Sequence, residues 1–177
     1  MRSILVLILM GVALLTLAFV VRSGAFSRKD PGRPINAAMR AAMEAEGVPE
    51  LSSADAETIR EQYPTARKLP SGLTYVLRAQ GSGGTPRLGS EVIAHYDGRL
   101  LDGTPFDSSY KRGSPIAFRL GAGNVIRGWE EAFANMQKGE KRTLIIPYWL
   151  AYGTEGRPPK IPPKATLVFE VELVDFN

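Results

Sequence analysis

Residues Gly128-Trp129-Glu130-Glu131-Ala132-Phe133-Ala134-Asn135-Met136 form the one helical stretch among the strand candidates of the C-terminal part of a 177-residue chain, and Gly139 ends it. On both sides the pattern is that of strands. Leu73-Thr74-Tyr75-Val76-Leu77-Arg78-Ala79 predicts a strand bounded by the turn residues Gly81-Ser82-Gly83-Gly84. Residues 91–101 predict a second, closed by a turn at Asp102-Gly103. Ile116-Ala117-Phe118-Arg119-Leu120 alternates as a half-buried strand does. Residues 141–146 and 166–176 complete the set. Strands joined by turns, with one short helix among them, predict an α+β domain in which an antiparallel sheet wraps that helix.

Working outward, Lys68-Leu69-Pro70-Ser71-Gly72 marks a boundary, because Pro and Gly punctuate the chain there. Residues 69–177 are therefore read as the main domain. Residues 23–68 read as a linker with a short helical segment. Within it, Ser52-Ser53-Ala54-Asp55 predicts a capped helix running toward Tyr63 and stopped by Pro64. Ile35, Ala38, Met39, Ala42 and Met43 recur at helical spacing and predict a packing face, which docks on the main domain, pairs subunits or stays loose.

Residues 4–21 form an uncharged run of 18, nearly long enough to span a hydrocarbon core. Residues 1–22 are read as a signal-anchor or a signal peptide. The run exceeds the usual apolar region of a cleaved signal, which favours an anchor, while Ser23-Gly24-Ala25 would suit cleavage near Ala25 and secretion. The short tail before a single apolar run predicts a main domain outside the cytoplasm, on the periplasmic side of a Gram-negative cell. Arg22, Arg28, Lys29 and Arg33 argue the other way by the positive-inside rule.

Composition removes several classes of function. The net charge of +4 is spread evenly, with 9 basic and 7 acidic residues in 1–71 and 13 and 11 in 72–177, so nothing marks a nucleic-acid surface. Cysteine is absent, which excludes disulfides, thiolate metal sites and a Cys nucleophile. A lone His95 cannot build a zinc site or a Ser-His-Asp triad. Gly121-Ala122-Gly123-Asn124-Val125-Ile126-Arg127-Gly128 has the wrong spacing for a dinucleotide loop, and Gly81-Ser82-Gly83-Gly84 lacks the Lys-Ser/Thr of a phosphate loop.

By periodicity alone, the aromatics of separate elements are core residues. Their order along the chain says more. Val92-Ile93-Ala94-His95-Tyr96-Asp97-Gly98, Phe106-Asp107-Ser108-Ser109, Val125-Ile126-Arg127-Gly128-Trp129-Glu130, Ala151-Tyr152-Gly153 and Ile161-Pro162-Pro163-Lys164-Ala165-Thr166-Leu167-Val168-Phe169 are colinear with the motifs of the FKBP family. The resemblance covers about residues 69–176 and implies a peptidyl-prolyl cis-trans isomerase of the exported or membrane-anchored bacterial type. It implies a five- or six-stranded antiparallel half-barrel around the helix of residues 128–136, with a shallow apolar pocket between them.

Carried over residue by residue, the resemblance makes Trp129 the pocket floor and Tyr96, Phe106, Val125, Ile126 and Phe169 its walls. It sets Asp107 at the rim and makes Ile161 the flap residue. The Tyr152 hydroxyl and the Ile126 backbone N–H become donors to the substrate carbonyl. Tyr96, Asp107, Ile126, Tyr152 and Phe169 are thus the expected catalytic set, with Phe106, Phe118, Val125, Trp129 and Ile161 binding substrate. Ile116 stands where the family often has an aromatic residue, and Arg157 and Lys160 make the flap more basic. These departures bear on substrate preference and on macrolide binding. His95 precedes Tyr96 on an alternating strand and should face away from the pocket.

Such a pocket suits a reaction that breaks no covalent bond. An X-Pro amide rotates over a barrier of about 18–20 kcal/mol because rotation disrupts resonance. Uncatalysed, that takes about 10–100 s. A catalyst need only bind the twisted amide better than the planar forms. An apolar wall favours the less dipolar twisted amide, and fixed donors hold the moving carbonyl. The chemistry calls for no metal and no cofactor. The expected partners are proline-containing polypeptides, with the membrane engaged through residues 4–21. The alternative is a module that binds proline segments, as a chaperone does, with little turnover.

Overall fold

A computed structural model describes residues 51–177. The apolar run of 4–21 and residues 23–50 of the linker segment, with the helical spacing of 35–43, lie outside the described residues. Among those described, no helix is long and apolar enough to cross a membrane.

The described chain begins with α1, Ser53–Gln62, opened as its sequence predicts: Ser52 is the N-cap, and its hydroxyl accepts from the Asp55 N–H at 3.0 Å. Seven strands follow: β1 Arg67–Lys68, β2 Thr74–Ala79, β3 Glu91–Leu100, β4 Pro105–Ser108, β5 Ile116–Arg119, β6 Lys141–Ile146 and β7 Leu167–Phe176. They form one antiparallel sheet in the order β1-β2-β6-β7-β3-β4, with β5 also pairing β3. The count exceeds the expected five or six because β1 and β4 are too short to show a period in sequence. Helices are also more numerous than expected: α2, Ser109–Arg112, and a 3-10 turn, Tyr148–Leu150, join α3, Arg127–Phe133. Inside the expected 128–136 span, α3 stops at Phe133 and residues 134–135 continue as a turn.

The inner face of the sheet closes over α3. Val92, Ala94 and Tyr96 of β3, Leu144 and Ile146 of β6, and Leu167, Phe169, Val171 and Leu173 of β7 bury against Trp129, Ala132 and Phe133. Close approach requires glycine at Gly128: a Cβ there would sit 2.5 Å from Ile146 Cγ2, so only a residue without one lets α3 lie on β6.

The outer face is covered as well. Val76, Ile145 and Val168 pack with Tyr63, Ile59 and Ala66. That second layer explains why the end of β6, Leu144-Ile145-Ile146, is apolar on both faces rather than alternating. Polar bonds fasten the layer. Thr166 Oγ1 donates to Asp55 at 2.6 Å, and Arg99 bridges the Tyr63 hydroxyl at 3.3 Å and Glu170 at 3.1 Å.

Candidate active site

At the mouth of the sheet, beside the N-terminus of α3, lies a cavity of about 280 Å³. Trp129 lies at its base, with Tyr96, Phe106, Phe169, Val125 and Ile126 around it. Strand alternation puts Tyr96 and Phe169 on the inner face, and α3 brings Trp129 against them. The rings meet edge to face: Tyr96–Trp129 at 4.9 Å, Trp129–Phe169 at 5.2 Å and Phe106–Phe169 at 5.5 Å between centroids. Gly98 makes the Phe106–Phe169 contact possible, because a Cβ there would lie 2.8 Å from both rings. The indole N–H of Trp129 is buried with no hydrogen-bond partner among the described residues.

A polar group closes one side. The Tyr96 hydroxyl donates to Asp107 Oδ2 at 2.6 Å, and Arg112 donates to the Tyr96 hydroxyl at 2.8 Å and to Asp107 Oδ1. The Ser108 N–H donates to Asp107 at 2.9 Å. Burial alone would raise the Asp107 pKa, but the Tyr96 hydrogen bond, Arg112, the Ser108 N–H and Lys160 together hold it below the ordinary carboxylate value. Burial, then the Asp107 carboxylate, push the Tyr96 phenol up, against the pull of Arg112. Near neutral pH the group is therefore an ionised carboxylate, a protonated phenol and a guanidinium.

Arg112 escaped the reading of the sequence, where Tyr110-Lys111-Arg112-Gly113 looks like a solvated turn. What brings it in is Ser109, fully buried. Its hydroxyl accepts from the Tyr96 N–H at 2.8 Å and donates to the Tyr96 carbonyl at 3.1 Å, pinning α2 to β3. His95 also bonds to Ser109, at 2.9 Å, and stacks on Tyr110 at 4.4 Å, on the face away from the cavity as alternation predicts.

Tyr152 lines the cavity, and Arg157 donates to its hydroxyl at 3.5 Å with the guanidinium 5.7 Å from the ring centre. A guanidinium only donates, so the Tyr152 proton stays free to be given to a ligand. Ile126 is the N-cap of α3, and no described residue accepts from its N–H. Two residues expected to bind substrate lie elsewhere. Phe118 does not line the cavity; it sits behind the floor, 5.9 Å from Trp129 and 5.4 Å from Phe133, while Ile116, nearer the mouth, takes its place. Ile161, buried, lines an adjoining cavity under the flap rather than this one. Asn124 and Arg157 also line the cavity. A larger space of about 500 Å³ borders the far side of Phe106, but mostly charged and polar residues and glycines line it, whereas aromatic rings line the smaller cavity.

Among the described residues, no group of three or more His, Cys, Asp or Glu is placed to hold a metal ion.

The family model for FKBP-type peptidyl-prolyl cis-trans isomerase matches residues 83–174. The chain belongs to this family. The isomerase is 62% identical over 90 residues to peptidyl-prolyl cis-trans isomerase FPR2 of Saccharomyces cerevisiae, covering 50% of this chain and 67% of that one. It is 50% identical over 106 residues to FK506-binding protein 1 of Dictyostelium discoideum, covering 60% of this chain and 99% of that one. The crystal structure of FkpA from Escherichia coli matches with a TM-score of 0.64 at 36% identity, covering 94% of this isomerase and 71% of FkpA. The enzyme class is thus that of the family, peptidyl-prolyl cis-trans isomerase, and the fold is shared with FkpA.

Proposed function

We propose that the aromatic cavity binds the proline of an X-Pro segment with its ring on Trp129, and that Tyr152 and the Ile126 N–H donate to substrate carbonyls, Tyr152 to that of residue X. The observation that carries this reading is one cavity of about 280 Å³ that joins aromatic walls, a free phenolic donor and an unclaimed backbone donor. Tyr96 and Phe169 shape the wall, and Asp107 with Arg112 holds Tyr96 in place. The Ile161 backbone N–H, bonded to the Arg157 carbonyl at 3.0 Å, fixes the flap, and Phe106 and Val125 complete the apolar lining. Rotation then proceeds because an apolar site disfavours the dipolar planar amide and fixed donors need no reorganisation.

The clients of this activity are exported proteins, a reading supported by the uncharged run of residues 4–21 after a very short tail. On that reading residues 1–22 anchor the chain or direct its export, and the isomerase works outside the cytoplasm. Macrolides of the FK506 type, named for several relatives, would compete for the same cavity.

Tyr152→Phe tests the donor. It removes one hydroxyl at nearly constant volume, so kcat/KM on a tetrapeptide should fall about fivefold to tenfold, from one lost hydrogen bond of about 1 kcal/mol or slightly more. The melting temperature should barely move. Unchanged kinetics would show that Tyr152 holds nothing in the transition state.

Between about pH 6 and 8 the rate should be nearly flat, because no group of the Tyr96–Asp107–Arg112 cluster titrates there. Stability has a defined sign in acid. Asp107 has a depressed folded pKa, so its contribution is complete above the unfolded value of about 3.9 and is lost as pH falls through the lower folded value. Urea titrations from pH 7 to 3 would check this. A bell-shaped rate profile centred near neutrality would mean that a proton moves in the reaction.

A further inference from the structure

We propose that this isomerase prefers substrates with a glutamate or aspartate immediately before the proline, selected by Arg157 and Lys160 of the flap; this rests on the aromatic cavity being the proline site. A second cavity, about 310 Å³, adjoins that site and shares Phe106, Asp107, Tyr152 and Arg157 with it. The flap lines the rest, including Pro158, Lys160 and Ile161. With Tyr152 holding the carbonyl of the residue before proline, that residue's side chain leaves from the carbon next to the carbonyl. It therefore falls on the Tyr152 side, where the second cavity opens.

The charges there are unequal in their engagement. Asp107, the one carboxylate of the lining, already accepts from Arg112, Tyr96 and the Ser108 N–H. The Arg157 guanidinium donates to the uncharged Tyr152, and Lys160 Nζ donates to the Phe106 backbone carbonyl at 3.0 Å. Among the described residues neither forms an ion pair, and Glu155 of the same loop pairs with neither and does not line the cavity. The neighbouring space of about 500 Å³ shares Lys160 and adds Lys111, also without an ion pair among the described residues. A carboxylate arriving in the second cavity meets two cations outside any ion pair among the described residues, although the Asp107 charge reaches Lys160, and guanidinium and ammonium both bind a carboxylate by charge-assisted hydrogen bonds. A lysine in that position meets like charge.

Blocked tetrapeptides Ala-Xaa-Pro-Phe with Xaa Ala, Glu or Lys test the proposal on the full-length chain. At about 20 mM salt, kcat/KM for Glu should exceed that for Ala by about fivefold, the size expected of two exposed pairs, and Lys should fall below Ala. At about 500 mM salt the ratio should approach one, because exposed charges are screened. In Arg157→Gln/Lys160→Gln the low-salt ratio should also approach one, and in Lys160→Gln it should lie between. Acceleration of the Ala peptide with no preference for Glu at low salt overturns the selectivity alone. A Glu preference that survives the double substitution, or that is unchanged at high salt, overturns its assignment to these two cations. Acceleration of none of the three peptides overturns the selectivity together with the proline site.

Discussion

Trp129→Ala is expected to abolish most of the isomerase activity and to destabilise the domain by about 3–5 kcal/mol, the usual cost of deleting a buried large aromatic. Trp129 is 4% exposed and touches four other rings: Tyr96, Phe118, Phe133 and Phe169. Alanine leaves a cavity lined by rings that cannot all collapse into it, since Tyr96 is held by Asp107 and Arg112 and Phe169 by the β3–β7 pairing. Trp129→Phe separates the two losses. It keeps an aromatic floor and most of the volume, so it should recover most of the stability and part of the rate. Urea unfolding and a tetrapeptide assay on both variants check this. A folded Trp129→Ala protein with the parent's kcat/KM would show that proline does not rest on this ring.

A chain cut to begin at Leu69 is expected to fold and to keep most of its activity on tetrapeptides, while losing about 2–4 kcal/mol of stability. All the residues lining the proline cavity lie from Tyr96 onward, so none is deleted. What goes is the outer layer and the two-residue edge strand β1. Tyr63 is 9% exposed, and with Ile59 and Ala66 it covers Val76, Ile145 and Val168. One buried large side chain and two half-buried ones account for that range, as an upper estimate. The cut also leaves Thr166 without Asp55 and Arg99 without the Tyr63 hydroxyl. A denaturation midpoint equal to that of the longer chain would mean that α1 contributes no net stability. A truncated chain without cooperative unfolding would mean that the outer layer is essential to the sheet.

The parts legible in the sequence are those with a local cause. The Ser52 cap, the alternation that turns His95 away from Tyr96, and the strands of residues 91–100 and 141–146 follow from side-chain type and spacing. Phe118 shows where such reasoning stops. Alternation puts Ile116 and Phe118 on one face, but register decides which reaches the pocket: Ile116 stands opposite Ala94, toward Tyr96, and Phe118 opposite Val92, one step deeper. Arg112 was illegible for a different reason. Its position depends on a buried serine bonded across to another strand, a long-range contact that no period records. The docking of α1 was equally hidden, since its residues are all partly exposed and its apolar face is weak.

The two strands that carry the pocket walls, β3 and β7, are the longest of the sheet and are paired from Val92 opposite Phe176 to Leu100 opposite Leu167. Tyr96 and Phe169 therefore sit in what should be the slowest-exchanging amides of the molecule, whose protons are released only when the whole domain opens. Heat inactivation and loss of the fold should then follow one curve, without a milder temperature at which the enzyme is intact but silent. The flap between Gly153 and Lys164 is held by far fewer backbone bonds, among them Arg157 to Ile161 and Lys164 to Gly153, and should exchange orders of magnitude sooner. The aromatic floor of the cavity is thus as durable as the protein itself, and whatever adaptability the enzyme shows toward different polypeptides should reside in the loop above it.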